Sequence, residues 1–291
     1  MNNVFITGAT GNTGFETIRY LTEFDGKITA GVRNKEKAKK QLSEFEKINY
    51  CHFDLEDSST FENIPEDTDV VFLLRPPHIS DVEKYFPPLF DKLKKKSINK
   101  IVFLSVQGVE KSKVIPHNKI ERLIFEKGFE YIFLRPSYFM QNLTTTLYQD
   151  IKKRNEIVLP AGDAVFNWID VKNIAEVGAV CLVNFEKYKN EAKVITGYEN
   201  KSFREVTDQI NKITGVNIEY KAVNPVKFYM IKCRQSLKPG MIIVMIMLHF
   251  LPRFQKEPEI SGEYEKITGK EPTRLSEFIE RNRKLFNLRE K

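Results

Sequence analysis

The sequence predicts an α/β protein of the Rossmann type, in which a doubly wound parallel sheet carries a small, mostly helical C-terminal substrate lid. Three observations predict it. A glycine-rich turn stands between a first apolar strand and a helix. Further short apolar runs alternate with helical patterns up to Pro136. Runs such as residues 70–74 are apolar at every position, which is typical of strands covered by helices on both faces.

The glycine-rich turn follows the predicted strand at 4–6 and precedes a helix with Phe15, Ile18 and Leu21 on one face. In this context backbone N–H groups and a helix N-terminus receive the pyrophosphate of a dinucleotide. Its glycines let the chain turn sharply, let the phosphates approach the backbone and let the helix lie close to the sheet. The alternative is that the same residues only shape a tight turn between strand and helix. The candidate cofactor-binding residues of the turn are Gly8, Thr10, Gly11, Asn12, Thr13 and Gly14.

Arg33 follows the second predicted strand, residues 27–32, where NAD-binding folds place an acid that holds the ribose 2′-hydroxyl. An arginine cannot accept that hydrogen bond, but it pairs well with a 2′-phosphate. The position therefore predicts that NADP(H) is preferred, with NAD(H) as the second candidate cofactor. The alternative interpretation is an exposed residue at the start of the next helix.

The later part of the first domain contains four more predicted strands. These strands are predicted at residues 48–53, 69–74, 100–104 and 131–134, with helices over 80–96 and 116–127 between them. Beyond Pro136 the pattern changes, and residues 137–153 are predicted to be helical. Two short strands are predicted around a turn at 160–163, and residues 192–195 are predicted to return to the main sheet.

These elements predict two domains. Residues 1–155 form an NAD(P)-binding domain to which 167–197 returns, and residues 198–291 with 156–166 form a smaller substrate-binding lid. Asp170 is predicted to cap a helix that ends near Phe185, and Thr273 to cap the last amphipathic helix. The apolar positions of that last helix are Leu275, Phe278, Ile279 and Phe286.

Composition indicates a soluble cytoplasmic protein. The chain is 41% hydrophobic and 29% charged, and its most apolar run, residues 241–248, is well short of the roughly 20 residues that span a bilayer. Residues 1–3 lead directly into the first strand, so no signal peptide is expected. We expect no membrane or nucleic-acid partner, because the net charge of +7 is dispersed along helices, and a monomer or homodimer. The cysteines are expected to be reduced and to bind no metal: Cys51, Cys181 and Cys233.

Eight segments of the sequence carry a family resemblance: Thr7–Gly14, Val32–Arg33, Phe53–Asp54, Leu104–Gly108, His117–Glu121, Leu134–Asn142, Trp168–Val171 and Ile267–Pro272. Together they resemble the NmrA-like group of atypical short-chain dehydrogenase/reductases, which includes quinone reductases and triphenylmethane-dye reductases. The resemblance covers nearly the whole chain. It implies a family and a cofactor class, and it implies no particular substrate.

The resemblance also implies where the cofactor binds. Asp54 and Leu55 are expected to flank the adenine, and Ser105 to lie beside the nicotinamide ribose. Other segments are expected to line the ribose-phosphate path or to pack near the nicotinamide. These further residues are Leu74, Arg75 and Pro76 for the phosphate path, and Pro136, Tyr138 and Phe139 for the nicotinamide.

The candidate catalytic residues, beside Ser105, come from a departure from the family pattern. Catalytic members of the wider superfamily use a tyrosine and a lysine four residues apart on the helix after the fifth strand. Here that helix contains His117 and Glu121, which share one face and would serve as a proton donor near neutral pH and its orienting group. Lysines at 111, 113 and 119 are alternative donors, and an exposed histidine in a surface ion pair is the alternative without chemistry.

The predicted function is an NADPH-dependent reductase that transfers hydride to a small apolar acceptor such as a quinone, because the anion of a reduced quinone is delocalised and needs no strong acid. The alternative is a non-catalytic NAD(P)-binding redox sensor with a protein partner, and a nucleotide-sugar epimerase is a weaker one. The substrate pocket is predicted to contain Tyr138, Phe139 and a methionine from the run at 241–251: Met241, Met245 or Met247. A purely structural core helix is the alternative for that run.

Overall fold

The computed structural model describes residues 3–113 and 115–286. Met1 and Asn2, on which the expectation of no signal peptide rests, lie outside these ranges. Over the described ranges, none of the helices combines the length and the hydropathy that a bilayer span requires.

The strands and helices are numbered in chain order. The strands are β1 (Val4–Ile6), β2 (Ile28–Val32), β3 (Ile48–His52), β4 (Val70–Leu73), β5 (Lys100–Leu104), β6 (Glu130–Pro136), β7 (Tyr138–Phe139), β8 (Glu156–Leu159), β9 (Val165–Ile169), β10 (Glu191–Ile195), β11 (Glu199–Ser202) and β12 (Glu219–Ala222). The helices are α1 (Asn12–Leu21), α2 (Lys35–Gln41), α3 (Val82–Lys95), α4 (Pro116–Glu126), α5 (Tyr148–Arg154), α6 (Val171–Val183), α7 (Phe185–Tyr188), α8 (Phe203–Thr214), α9 (Pro225–Arg234), α10 (Pro239–Phe250), α11 (Glu263–Thr268), α12 (Leu275–Arg281) and α13 (Arg283–Phe286).

The described chain divides into two compact units. The first unit comprises residues 3–136, 171–195 and 263–270, and the second unit comprises 137–170, 196–262 and 271–286. These bounds differ from the predicted ones in four places, two of which are short: residues 167–170 and 196–197 belong to the second unit and not to the first. Residues 137–155 belong to the second unit, and α11 belongs to the first, because the Tyr264 hydroxyl donates to the Glu176 carboxylate of α6 at 2.6 Å.

The first unit is built on a seven-stranded sheet with the order β10-β6-β5-β4-β1-β2-β3. Every neighbouring pair in it is parallel, and β10 pairs with β6 as predicted for the returning segment. The strand order reverses between β1 and β4, since β2 and β3 lie to one side and β5 and β6 to the other. In such sheets ligands bind outside the carboxyl ends of the strands at this switch point.

Helices cover both faces of this sheet, which explains why its strands are apolar at consecutive positions. Phe5, Val71 and Phe103 belong to one buried cluster with side chains of α3 and α4. On the opposite face, Phe72 lies 3.4 Å from where a side chain at Gly178 of α6 would begin. The predicted doubly wound parallel sheet is therefore confirmed.

The second unit contains two small sheets, one with the order β11-β9-β7 and one formed by β12 and β8. The predicted helix over residues 137–153 is wrong. Tyr138 pairs with Trp168 and Phe139 with Ile169, so the chain enters the unit as a strand, and only α5 and a short 3₁₀ turn are helical. Aromatic residues at 138 and 139 favour a strand, and packing against neighbouring strands determines whether such a short segment is a strand or a helix.

The two short strands predicted around the turn at 160–163 are confirmed as β8 and β9, of which β8 pairs with β12 and β9 with β11 and β7. One detail of the second unit differs from the sequence predictions. Arg274, and not Thr273, is the residue that precedes the first turn of α12, and its N–H donates to the Glu277 carboxylate at 2.8 Å. The apolar residues of this C-terminal part were predicted correctly, since they are all buried: Leu275, Phe278, Ile279 and Phe286.

Candidate functional site

The turn after β1 has the geometry of a phosphate-binding loop. Gly8 adopts a φ of +60°, and the Gly11 N–H donates to the Gly8 carbonyl at 2.9 Å. A side chain at Gly14 would begin 2.8 Å from the Ala9 Cα, so only glycine lets α1 start this close to the turn. Gly11 caps α1 without a side-chain hydrogen bond, and Gly8, Gly11 and Asn12 are exposed. The N–H groups of the first helical turn can therefore receive an anion.

The end of β4 lies beside this turn. The Thr7 hydroxyl accepts a hydrogen bond from the Leu74 N–H at 2.8 Å, and a side chain at Gly8 would begin 3.2 Å from the Leu74 Cβ. The carboxyl ends of β1 and β4 are thus held together at the switch point. Of the residues predicted to contact the cofactor, the structure therefore brings the glycine turn and Leu74 into one place.

Arg75, the next residue, is a half-buried cation in an unusual setting. Its Nη1 donates to the carbonyls of Pro76 at 3.1 Å and Ile79 at 2.5 Å, and its Nε to the His117 Nε2 at 3.4 Å. Within residues 3–113 and 115–286 no carboxylate pairs with it. Burial lowers the pKa of Arg75, yet a guanidinium stays charged in proteins. The switch point therefore carries a positive charge with no acidic partner from the described chain.

Ser105, directly after β5, supplies an unsatisfied buried group. Its N–H donates to the Leu134 carbonyl at 2.7 Å, and its side chain is 1% exposed. In the described part of the chain its hydroxyl has no hydrogen-bond partner, and the same holds for the buried Asn118 Oδ1 of α4. Because buried polar atoms are nearly always satisfied, such atoms mark places where a ligand or water binds.

Two other predicted cofactor residues lie at the ends of β2 and β3. Arg33 is exposed directly after β2, and no acceptor among the described residues pairs with it. Asp54, after β3, accepts from the Glu56 N–H at 3.0 Å and its own N–H donates to the Thr60 hydroxyl at 3.0 Å. Asp54 therefore shapes a local turn, and Leu55 beside it is buried.

The predicted pairing of His117 with Glu121 is wrong. Glu121 is buried, and both its oxygens accept from the Arg135 guanidinium, at 3.1 and 2.6 Å. His117 lies against Arg75 instead, and burial together with that positive charge lowers its pKa to about 3. At neutral pH the ring is neutral, so its role as proton donor stays a prediction that this geometry does not favour.

Tyr138 belongs to an aromatic cluster within the second unit. Its ring packs edge-on against Trp168 at 4.9 Å, and its hydroxyl lies 2.9 Å from the Nε2 of His249. The His249 Nδ1 lies 2.7 Å from the Met245 carbonyl, so Nδ1 carries the proton and Tyr138 donates to Nε2. Burial raises the pKa of Tyr138 and lowers that of His249 to about 4.

The predicted methionines of α10 have different environments. Met245 is buried in the core of the second unit, while Met241 and Met247 are exposed. Pro136 ends β6 and accepts from the Gln107 N–H at 2.9 Å, and Phe139 is half-buried. No group of three or more His, Cys, Asp or Glu in the described ranges is arranged to hold a metal ion. The cysteines are free, with Cys51 and Cys181 buried and Cys233 exposed.

The profile of the NmrA-like family matches residues 1–279. The chain belongs to the NmrA-like family. It is 26% identical over 278 residues to prestalk A differentiation protein A of Dictyostelium discoideum, covering 95% of this chain and 91% of the relative. It is 23% identical over 287 residues to the NAD(P)H azoreductase of Xenophilus azovorans, covering 97% and 99%.

Solved structures agree with this assignment. The NADPH-dependent quinone oxidoreductase of Escherichia coli, solved with NADPH, superposes with a TM-score of 0.84 at 17% identity, covering 96% of this chain and 99% of that one. Relatives in the family are named as reductases, dehydrogenases and oxidoreductases. The predicted family and fold are thereby confirmed, and the prediction of an oxidoreductase is confirmed at the level of the family.

Three residues of this NmrA-like protein were missed by the sequence analysis. His249 binds Tyr138, Arg135 holds Glu121, and Asn118 has an unsatisfied buried oxygen. His249 did have a signal, because it is the one polar side chain in the apolar run from 241 to 251. Arg135 and Asn118 had none, since ordinary charged and polar residues near strand and helix ends are usually exposed.

Proposed function

We propose that this NmrA-like protein is an NADPH-dependent reductase that acts on a small apolar acceptor such as a quinone. One observation carries the proposal, the exposed glycine turn with uncapped N–H groups at the switch point of the sheet. The residues around it fit a dinucleotide, because the turn is exposed at Gly8, Gly11 and Asn12 and the buried Ser105 hydroxyl lacks a partner in the described chain. When bound, NADPH supplies the hydride.

Each residue of the site has a proposed task. The turn binds the pyrophosphate through backbone N–H groups, and Arg75 adds positive charge beside it. Arg33 binds the 2′-phosphate. Ser105 donates a hydrogen bond to the nicotinamide ribose, and Tyr138 and Phe139 are the proposed contacts of the apolar acceptor. An acceptor that delocalises its developing negative charge suits a site whose histidine is neutral at pH 7.

The cofactor preference tests the proposal. Arg33→Ala should weaken NADPH binding roughly ten- to a hundredfold, since a charge-assisted phosphate pair contributes on the order of 1.5–3 kcal/mol. NADH binding should not change. Fluorescence titration of both cofactors measures this, and Lys35→Ala is the matched control because it removes a neighbouring exposed positive charge. Equal dissociation constants for the two cofactors in the unmodified protein would contradict the preference.

A non-catalytic redox sensor is the second candidate function. It is favoured by the same neutral histidine, because a protein without an acid near the acceptor can bind the cofactor and leave it unreacted. Steady oxidation of NADPH by a panel of quinones supports the reductase, whereas tight binding without turnover supports the sensor. An epimerase has less support, because α4 contains no tyrosine.

A further inference from the structure

The helix α10 presents an apolar surface on its exposed side. Its buried positions are Ile242, Met245 and His249, so its only polar side chain faces inward. Its exposed positions form the apolar helix face, which comprises Met241, Ile243, Val244, Met247 and Leu248 and is 41–62% exposed at each residue. A surface helix normally has the reverse distribution.

Neighbouring elements extend this apolar character. Leu251 and Phe254 of the 3₁₀ turn that follows α10 are 46% and 74% exposed. The helix α9, which packs with α10, exposes Val226 and Met230. Single exposed apolar residues are ordinary on a surface, but a helix face with no polar residue over three turns indicates that something covers it.

The charges of this segment are all of one sign. Residues 223–256 contain no Asp or Glu. Lys232 is buried against Asp150, and the other basic side chains are exposed: Lys227, Arg234, Lys238, Arg253 and Lys256. Asp163 and Glu257 line a cleft with Arg253 and Lys256, so acidic groups offset part of the charge at that end. Arg234, the last residue of α9, and Lys238, directly before α10, have no such neighbours among the described ion pairs.

We propose that the apolar helix face, with Arg234 and Lys238 beside it, binds the surface of an anionic lipid bilayer. Apolar side chains that enter the headgroup boundary together with flanking basic residues are the chemistry that attaches a helix to such a surface. The 12 residues of α10 extend only about 18 Å, so the helix lies on the bilayer and does not span it. This departs from the expectation of no membrane partner.

A second copy of the chain is a poorer occupant of this surface. A twofold interface sets the same patch against itself, so the positive charges of Arg234 and Lys238 in one copy would meet a patch that carries the same charges in the other. The bilayer proposal goes beyond the proposed function and does not depend on it, because cofactor binding is assigned to the first unit. An apolar acceptor dissolved in lipid would nevertheless be delivered to a reductase held at that surface.

Vesicle flotation tests the proposal with the full-length protein. The probes are vesicles of phosphatidylcholine alone and vesicles of phosphatidylcholine and phosphatidylglycerol in equal amounts. We expect binding to the anionic vesicles only, with release at high salt. Val244→Asp with Leu248→Asp should lower binding at least about tenfold, as should Arg234→Glu with Lys238→Glu. NADPH titration of every variant shows whether the first unit is intact.

Two matched controls separate the surface from general effects. Phe125→Asp places a charge at an apolar residue of α4 that is 67% exposed, and Lys152→Glu with Lys153→Glu makes the same charge change on α5. Both should bind anionic vesicles like the unmodified protein. Absence of vesicle binding at low salt overturns the proposal, and so does binding that Val244→Asp with Leu248→Asp leaves unchanged. A dimer in light scattering that this variant converts to a monomer would instead identify a second copy as the occupant.

Discussion

The two units differ in whether their buried polar groups have partners within the protein. In the second unit these groups are satisfied by each other. Lys232 donates to Asp150 at 2.5 Å, Tyr138 binds His249, and Asn167 accepts from the Ser137 hydroxyl at 2.6 Å. In the first unit, at the carboxyl ends of β4 and β5, the described chain leaves the Ser105 hydroxyl without a hydrogen-bond partner and the Arg75 guanidinium without a carboxylate.

The difference shows which unit is complete without a ligand. Arg75 lacks an acidic partner and Ser105 lacks a hydrogen-bond partner among the described residues. Arg75 follows β4, which pairs with β1, and Ser105 follows β5, the next strand of the sheet. An unsatisfied buried hydroxyl and a desolvated guanidinium without a carboxylate both cost stability, so a chain that keeps them at a switch point has a use for them. The paired groups of the second unit need no ligand to satisfy their hydrogen bonds.

The comparison predicts its largest effect at the buried ion pair of the second unit. Asp150→Ala leaves Lys232, which is 2% exposed, without a carboxylate partner. We expect the free energy of unfolding to fall by about 3–5 kcal/mol, because an uncompensated buried charge is costly. Urea denaturation at neutral pH measures it.

The controls for this prediction use an exposed pair and a charge-free core. Arg122→Ala removes the exposed ion pair with Glu126 and should cost less than about 1 kcal/mol. Asp150→Leu with Lys232→Met should recover most of the loss, since apolar residues of similar volume can replace a buried pair. An Asp150→Ala protein as stable as its parent would show that water reaches Lys232.

The second prediction uses the pH dependence of stability. His249 has a pKa of about 4 in the folded protein and about 6.5 when unfolded, so its lowered pKa stabilises the fold above pH 6.5. As the pH falls from 6.5 towards 4, the unfolded state gains the proton first. Stability should then decline by up to about 3 kcal/mol.

Two variants test whether His249 causes this decline in stability. Urea denaturation between pH 7 and pH 5 should give a shallower slope for His249→Phe with Tyr138→Phe, which removes the titrating ring without orphaning the hydroxyl. His78→Ala, at an exposed histidine, is the control for the loss of a histidine from the surface. His117, whose pKa is also lowered, contributes the part of the slope that persists. An identical slope in the double variant would contradict the assignment.

The third prediction concerns the glycine turn. Gly14→Ala forces the start of α1 away from Ala9, which we expect to cost about 1–3 kcal/mol and to abolish measurable NADPH binding. Gly240→Ala is the matched control, because nothing lies within 4 Å of the added methyl group. It should be neutral or slightly stabilising in a helix. Calorimetric binding and thermal unfolding of both variants decide whether the turn is needed for the cofactor or only for shape.

Sequence reasoning worked well for the first unit and less well for the second, for physical reasons. The strands β1 to β6 are apolar runs between helical patterns, and each was predicted within two residues. The strands β7, β11 and β12 have two to four residues and are fixed by partners distant in the chain, as Tyr138 is by Trp168. The predicted pairing of His117 with Glu121 failed because spacing along a helix shows only that two residues share a face. It does not show that Arg135, on the neighbouring strand β6, binds the Glu121 carboxylate.

The smallest effect is expected at His117. It separates two roles for this side chain, a proton donor in catalysis and a neutral ring that holds Arg75. If His117 donates a proton, His117→Ala should lower kcat at least about tenfold and remove a pH limb near 6.5. The structure favours a neutral ring that accepts from Arg75, so we expect kcat to change by less than about threefold and no limb near pH 6.5 to exist. The Kd for NADPH should rise severalfold, because Arg75 loses one of the groups that hold its guanidinium. His78→Ala should change neither quantity. A large loss of kcat with an unchanged Kd would restore His117 as the donor.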